Sequence, residues 1–190
     1  MRVGVLALQG GFAEHVHALN KLGVSSLEIR STQDLQTPFD ALILPGGEST
    51  VMGRLLRELD LYYPLKDLIS QGMPVWGTCA GMILLARELE GDADTHLALM
   101  PITVQRNAFG RQLGSFSSLG MFEGIGEIPM TFIRAPVILE ADKNVHKLAK
   151  YDGFSVAARY DTMLATAFHP ELTNDTRVLQ YFLGMTSCRH

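Results

Sequence analysis

The chain has 190 residues, and 16 Lys and Arg against 20 Asp and Glu leave a formal net charge of −4. At 47% hydrophobic and 19% charged it has an ordinary globular balance, and its length suits a single domain, 1–190, with a core of its own. A mildly acidic total without a Lys/Arg cluster argues against nucleic acid as the main partner, and no apolar run approaches the roughly 18 residues of a membrane span.

The first predicted element is a strand over residues 3–8, a nearly continuous apolar run of the kind buried on both faces. It starts directly after Met1-Arg2 and ends at Gln9-Gly10-Gly11, where a signal-peptide cleavage site would have to sit, so no secretory leader is expected. Residues 12–22 follow with Val16, Leu19 and Leu22 at helical spacing, closed by Gly23. Short strands are predicted over 27–29 and 40–44, the second stopped by Pro45-Gly46-Gly47. Ser49 or Thr50 is placed to cap the next helix, whose Met52, Leu55, Leu56 and Leu59 share a face. A helix over 64–70, a strand over 74–77 and a helix over 81–89 complete the first half. Strands alternating with helices of this length imply βαβ units: an α/β fold with a mostly parallel central sheet and helices on both faces. Beyond Gly91 the rhythm changes to short β-rich runs at 102–105, 130–133, 154–158 and 163–167, expected as antiparallel additions to that sheet. A last helix is predicted near 175–183, capped by Thr173 or Asn174.

Chemistry concentrates at three points. Cys79 stands in Gly77-Thr78-Cys79-Ala80-Gly81 between a buried strand and a helix, the cysteine form of a nucleophile elbow. The sharp turn demands small residues two positions either side, and the helix N-terminus favours a thiolate. A lone free cysteine is usually core filler, but flanking glycines at a strand-to-helix junction reverse that expectation. His169-Pro170-Glu171 follows a late strand, and residues two apart in an extended segment face the same side, so one carboxylate can orient the imidazole. His15, His17, His96, His146 and His190 show no comparable arrangement. Pro45-Gly46-Gly47-Glu48-Ser49-Thr50 can turn backbone N–H groups toward a pocket, as an oxyanion hole requires, or can be a plain turn with a helix cap. It lacks the lysine of a phosphate loop. No metal site is expected, because two distant cysteines, Cys79 and Cys188, and scattered histidines lack ligand spacing. The same two cysteines cannot build a disulfide framework and suit a reducing cytoplasm. All three motifs follow strands, which puts them at the carboxyl edge of the sheet, where open α/β folds bind ligands.

Taken together, the elbow and the late His169-x-Glu171 resemble the class I, triad-type glutamine amidotransferases. Finer segments resemble the family of glutaminase subunits of pyridoxal 5′-phosphate synthase: Gly4-Val5-Leu6-Ala7-Leu8-Gln9-Gly10, Glu14-His15, the Pro-Gly-Gly-Glu-Ser-Thr turn, Arg106-Asn107-x-Phe109-Gly110-Arg111-Gln112, Phe132-Ile133-Arg134-Ala135-Pro136 and Phe168-His169-Pro170-Glu171-Leu172. The resemblance implies a nucleophile at Cys79, a His169–Glu171 pair, oxyanion donors near Gly47 and Ala80, and glutamine-binding positions at Gly47, Glu48, Ser49, Arg106, Ile133 and Arg134. It implies hydrolysis of L-glutamine without a cofactor, and delivery of ammonia to a synthase subunit in a large hetero-oligomer. Arg106 and Arg134 suit a substrate carboxylate, although Arg134 could equally serve a structural ion pair. Residues 113–118 lack the acidic side chains expected there in relatives, and the chain runs only to Cys188-Arg189-His190 after its last predicted helix. Rival readings are a glutaminase of the imidazole glycerol phosphate synthase type, a stand-alone cysteine hydrolase, and a non-catalytic scaffold, whose mark would be a broken triad.

Overall fold

The computed structural model describes residues 1–109 and 114–186. Gly110, Arg111, Gln112 and Leu113, and Cys188 and His190 near the end of the chain, lie outside the described residues. The first half winds as the alternation predicts: β1 (Arg2–Leu6), α1 (Phe12–Lys21), β2 (Ser25–Ile29), β3 (Ala41–Leu44), α2 (Ser49–Glu58), α3 (Tyr62–Ser70), β4 (Val75–Thr78) and α4 (Ala80–Leu85). The second half supplies β5 (Ala86–Leu89), β6 (Met100–Gln105), β7 (Ser115–Phe122), β8 (Gly126–Ile133), β9 (Val137–Ala141), β10 (His146–Tyr151), β11 (Phe154–Tyr160), β12 (Met163–Thr166) and α5 (Arg177–Thr186).

The main sheet runs in the order β2-β1-β3-β4-β12-β11-β10-β7-β8. From β2 to β12 every pairing is parallel; from β12 onward every pairing along this path is antiparallel. The parallel strands β3 and β4 are buried along their whole length, as strands covered on both faces must be. Successive side chains of β4 alternate between those faces. Trp76 meets His15 of α1 and Phe182 of α5 on one side, whereas a Cβ on Gly77 would meet Gly81 and Met82 of α4 on the other. The chain returns to the centre of the sheet with β12, which pairs with β4 in the register Thr166–Thr78. That late insertion carries residues from the end of the sequence to the carboxyl ends of the earliest strands.

Three local expectations change. Residues 81–89 do not form one helix: α4 ends at Leu85 and the chain straightens into β5, which pairs parallel with β6. The cap of α2 is neither Ser49 nor Thr50 but Glu48, whose carboxylate accepts the Thr50 and Val51 N–H groups at 3.2 and 2.9 Å. The last helix starts at Arg177, two residues after the predicted point, because Asp175 accepts the Arg177 N–H.

Candidate active site

Cys79 sits between β4 and α4 with φ 48° and ψ −102°, a conformation that costs a non-glycine residue of order 1–3 kcal/mol. The surroundings enforce it. The Cys79 N–H donates to the Thr166 carbonyl at 2.7 Å. Gly81 lies so close to β3 that an added Cβ would stand 1.9 Å from the Leu44 carbonyl oxygen, and one on Gly77 would stand 2.5 Å from Gly81 itself. Both flanking glycines are therefore steric requirements of the elbow.

His169 enters from the loop after β12, and its N–H is tied to the Thr131 carbonyl of β8 at 2.8 Å. The same strand accepts the Cys79 thiol through Ile133 O at 3.8 Å. Thus β8 aligns both residues through its backbone carbonyls. Glu171 Oε1 lies 2.7 Å from His169 Nδ1, and both side chains are almost closed to solvent, at 1% and 11% exposed respectively. Burial opposes charge on His169. Hydrogen bonds to Cys79 and Glu171, and the charges of both, outweigh it and raise its pKa from 6.5 to about 10. For Glu171 burial again works against charge, but His15 and His169 overcome it and hold the carboxyl below its ordinary range. An imidazolium opposite the sulfur is the partner a nucleophilic thiolate needs.

The Gly46-Gly47 turn closes the site from the β3 side. Neither glycine has a positive φ, so the need for glycine here is space, not left-handed backbone. A Cβ on Gly46 would stand 2.3 Å from His169 Cε1, and one on Gly47 would stand 2.4 Å from Gln9 Oε1. The Gly46 carbonyl accepts the Gly11 N–H at 2.9 Å, so the trans peptide turns the Gly47 N–H to the opposite side. Gln9 completes the turn by accepting the Glu48 N–H at 2.8 Å.

These elements enclose a cavity of about 330 Å³, the size of a small-molecule site. It is lined by Cys79, His169, Glu171, Gly47, Glu48, Ser49, Arg106, Ile133 and Arg134, together with Gln9, Gly10, Gly11, Glu14, Ile83 and Asn107. Ala80 is the first residue of α4, with its backbone at the helix N-terminus beside the sulfur. Every site residue expected from the sequence is thus at or beside one pocket. A larger open depression of about 490 Å³, between residues 121–126 and 147–150, holds no comparable set of nucleophile and base. Two expectations shift in detail. The ion pair considered for Arg134 falls on Arg106, whose Nη2 lies 3.3 Å from Asp92 Oδ2, while Arg134 is exposed. Glu48 spends its carboxylate on the α2 N-terminus. Burial disfavours its charge, yet the Val51 and Thr50 hydrogen bonds and the nearby Arg106 keep its carboxyl below the usual range.

Sequence reasoning set His15 aside, and the structure reverses that. It is fully buried, with Nε2 3.2 Å from Thr78 Oγ1 and 3.6 Å from Glu171 Oε2. The available signals were its place four residues before Leu19 on the buried face of α1 and its appearance in the Glu14-His15 segment of the family resemblance. Among the described residues no group of three or more His, Cys, Asp or Glu side chains is arranged to hold a metal ion, and no helix is long and apolar enough to cross a membrane.

A strained cysteine elbow facing a His–Glu pair, on a parallel sheet extended by antiparallel strands, defines a triad glutamine amidotransferase in architecture. The chain belongs to the SNO glutamine amidotransferase family, whose model matches residues 5–188. It is 57% identical over 185 residues to the pyridoxal 5′-phosphate synthase subunit PdxT of Methanocorpusculum labreanum, covering 97% of each chain. It is 50% identical over 188 residues to PdxT of Streptococcus pneumoniae strain CGSP14, again with 97% coverage of both. Among solved structures, a glutamine amidotransferase superposes with a TM-score of 0.92 at 43% identity, covering 97% of this chain and 98% of that one. PurLQS from Thermotoga maritima superposes with a TM-score of 0.70 over 96% of this chain and 97% of that one at 14% identity, a likeness of fold alone.

Proposed function

We propose that this chain is the glutaminase subunit of a pyridoxal 5′-phosphate synthase and works through Cys79, His169 and Glu171. The observation that carries the reading is the buried relay in which Glu171 holds His169 at 2.7 Å and His169 faces the Cys79 sulfur from a strained elbow. The pyridoxal 5′-phosphate synthase assignment rests on the relatives at 50–57% identity.

In the first step the Cys79 sulfur attacks the side-chain amide carbon of L-glutamine. The carbonyl oxygen takes up negative charge, which the Gly47 and Ala80 N–H groups stabilise; losing one such donor costs about 3–4 kcal/mol in comparable sites. His169 gives its proton to the departing nitrogen, the carbon–nitrogen bond breaks, and a γ-glutamyl thioester with ammonia remains. His169 then takes a proton from water, whose oxygen attacks the thioester, and glutamate leaves with the thiol restored. Glutamine and water become glutamate and ammonia, and atoms balance without a cofactor. Arg106 and Arg134 attract the substrate's α-carboxylate; Arg106 exchanges its Asp92 pairing for that contact or shares it.

Ammonia is mostly protonated in neutral water and lost as a nucleophile, so release coupled to a synthase subunit is the productive arrangement. The partner in this reading is that subunit, docked over the carboxyl edge of the sheet in a hetero-oligomer, and a working thiol suits the reducing cytoplasm we propose as its location. Steady-state glutamate release by the chain alone and with a pyridoxal 5′-phosphate synthase subunit is the test. Weak activity alone, strong activation by the subunit and none in Cys79→Ala support the reading. Full activity alone, unchanged by the subunit, would replace it with a stand-alone hydrolase.

A further inference from the structure

Glu171 has two carboxylate oxygens, and only one has work in the relay just described. Oε1 accepts from His169, whereas Oε2 is buried without a hydrogen-bond partner among the described residues. A carboxylate oxygen left so in a dry site is costly, and the carboxylate tends to rotate or take up a proton instead. The group facing it is His15, with Nε2 3.6 Å away. We infer that His15 is a positioning residue for the Cys79–His169–Glu171 relay: its Nε2–H, shared with the Thr78 hydroxyl, holds Oε2 and thereby keeps Oε1 on His169. The inference rests on the glutaminase reading and deepens it.

The surrounding fold suits this role. His15 lies on the buried face of α1 and stands edge-on to Trp76, with ring centroids 5.3 Å apart at 85°, so its ring has a fixed tilt. Its contact with Thr78 is to the residue just before the nucleophile. One imidazole therefore bridges the strand that presents the thiol and the carboxylate that orients the base. Burial lowers the His15 pKa against the opposing pull of Glu171, which favours a ring acting through one N–H over a second imidazolium beside His169. At 3.6 Å the contact is longer than a closed hydrogen bond, as relays in substrate-free sites often are. The other ionisable groups facing this cluster are Cys79 from the elbow and Glu14 from α1, with His17, Lys21 and Asp175 around the small cavity behind Glu171.

Packing alone makes a different prediction, and two variants separate them. His15→Phe keeps the ring against Trp76 and removes the N–H; His15→Gln keeps an N–H at about the same reach. Both are assayed with the synthase subunit present, with circular dichroism and thermal melting as folding controls. His15→Phe should lower kcat roughly ten-fold or more, as loss of groups that orient ligand histidines does elsewhere, with KM within about two-fold. The acidic limb of its kcat/KM profile should move to higher pH, because Glu171 then protonates more readily. His15→Gln should restore most of kcat and return the limb. Wild-type kcat and pH profile in a folded His15→Phe, or equal losses in both variants, would overturn the inference. An NMR titration of the Glu171 carboxyl separates this from the glutaminase reading. It should shift upward in His15→Phe relative to the unsubstituted chain even if glutamine proves not to be the substrate, and an unchanged titration would overturn the His15 role while leaving Cys79-dependent hydrolysis intact.

Discussion

At the scale of single residues, the relay makes two kinds of prediction. The first concerns turnover. Cys79→Ala should abolish glutamine hydrolysis, and His169→Ala should reduce it by several orders of magnitude. Because the two act as a unit, the double variant should be little worse than either. Glu171→Gln should cost less than His169→Ala, since it disturbs orientation and charge while leaving the base. Initial rates across this set decide the matter, and multiplicative losses would assign the residues to separate steps. The second concerns stability. His169 is raised from 6.5 to about 10, so the folded state binds its proton more tightly than the unfolded state does. The resulting stabilisation is fully present below pH 6.5 and is lost as pH rises through about 10. Glu171 is shifted down, so its contribution has the opposite sense: present above the ordinary carboxylate value and lost as pH falls through its lowered one. Urea unfolding of the unsubstituted chain and His169→Gln should show a gap that narrows toward pH 10.

At the scale of elements, the elbow is a packing problem solved by glycine. Gly81→Ala would drive a Cβ to 1.9 Å from the Leu44 carbonyl, and backbone cannot yield as a side chain can, so a loss of roughly 3 kcal/mol or more is expected. Gly23→Ala supplies the comparison: that glycine has φ +69° but open space around it, so only the backbone penalty of about 1–2 kcal/mol remains. Chemical denaturation of both tests whether contact or conformation dominates. Glu48→Ala should cost about 1 kcal/mol through the lost α2 cap. These cases also show what the chain discloses on its own. The Gly77-x-Cys79-x-Gly81 and His169-x-Glu171 spacings were legible because the geometry is local: a turn and an alternation. The parallel half was legible from strands and helices of ordinary length in alternation. For the α2 cap, residue identity points to Ser49 or Thr50, because serine and threonine are preferred cap types, and only the helix start at Ser49 selects Glu48, the residue before it. Residues 86–89 carry a helical pattern as readily as a strand one, and pairing with β6 decides between them. His15 was missed for a stronger reason. Its partners Thr78 and Glu171 lie 63 and 156 positions away, and no local pattern marks a contact made by sheet order.

At the scale of the whole molecule, the sheet order assembles the site. β1, β3, β4 and β12 are neighbours, and their carboxyl ends carry Gln9 to Gly11, Gly46 to Ser49, Cys79 and His169 in turn. The antiparallel half reaches the same place through β8, whose carbonyls hold His169 and the Cys79 thiol. A partner that docks over this edge therefore meets the Gly46-Gly47 turn directly. A switch of the Gly46-Gly47 peptide on docking would have to break the Gly11-to-Gly46 hydrogen bond. A partner binding only the orientation with Gly47 N–H at the oxyanion position raises turnover by no more than its differential affinity for the two orientations. Gly47→Val tests this coupling. Its branched side chain would crowd Gln9 Oε1, Gly10 and Met52, at 2.4, 3.2 and 3.2 Å from the first added carbon, and would bias the turn. If the turn is a switch beneath the docking surface, turnover at saturating synthase subunit should fall far more than the subunit's affinity. A titration following free ammonia and affinity together reads both. Equal loss of the two would show that the turn is part of the docking surface rather than a switch beneath it.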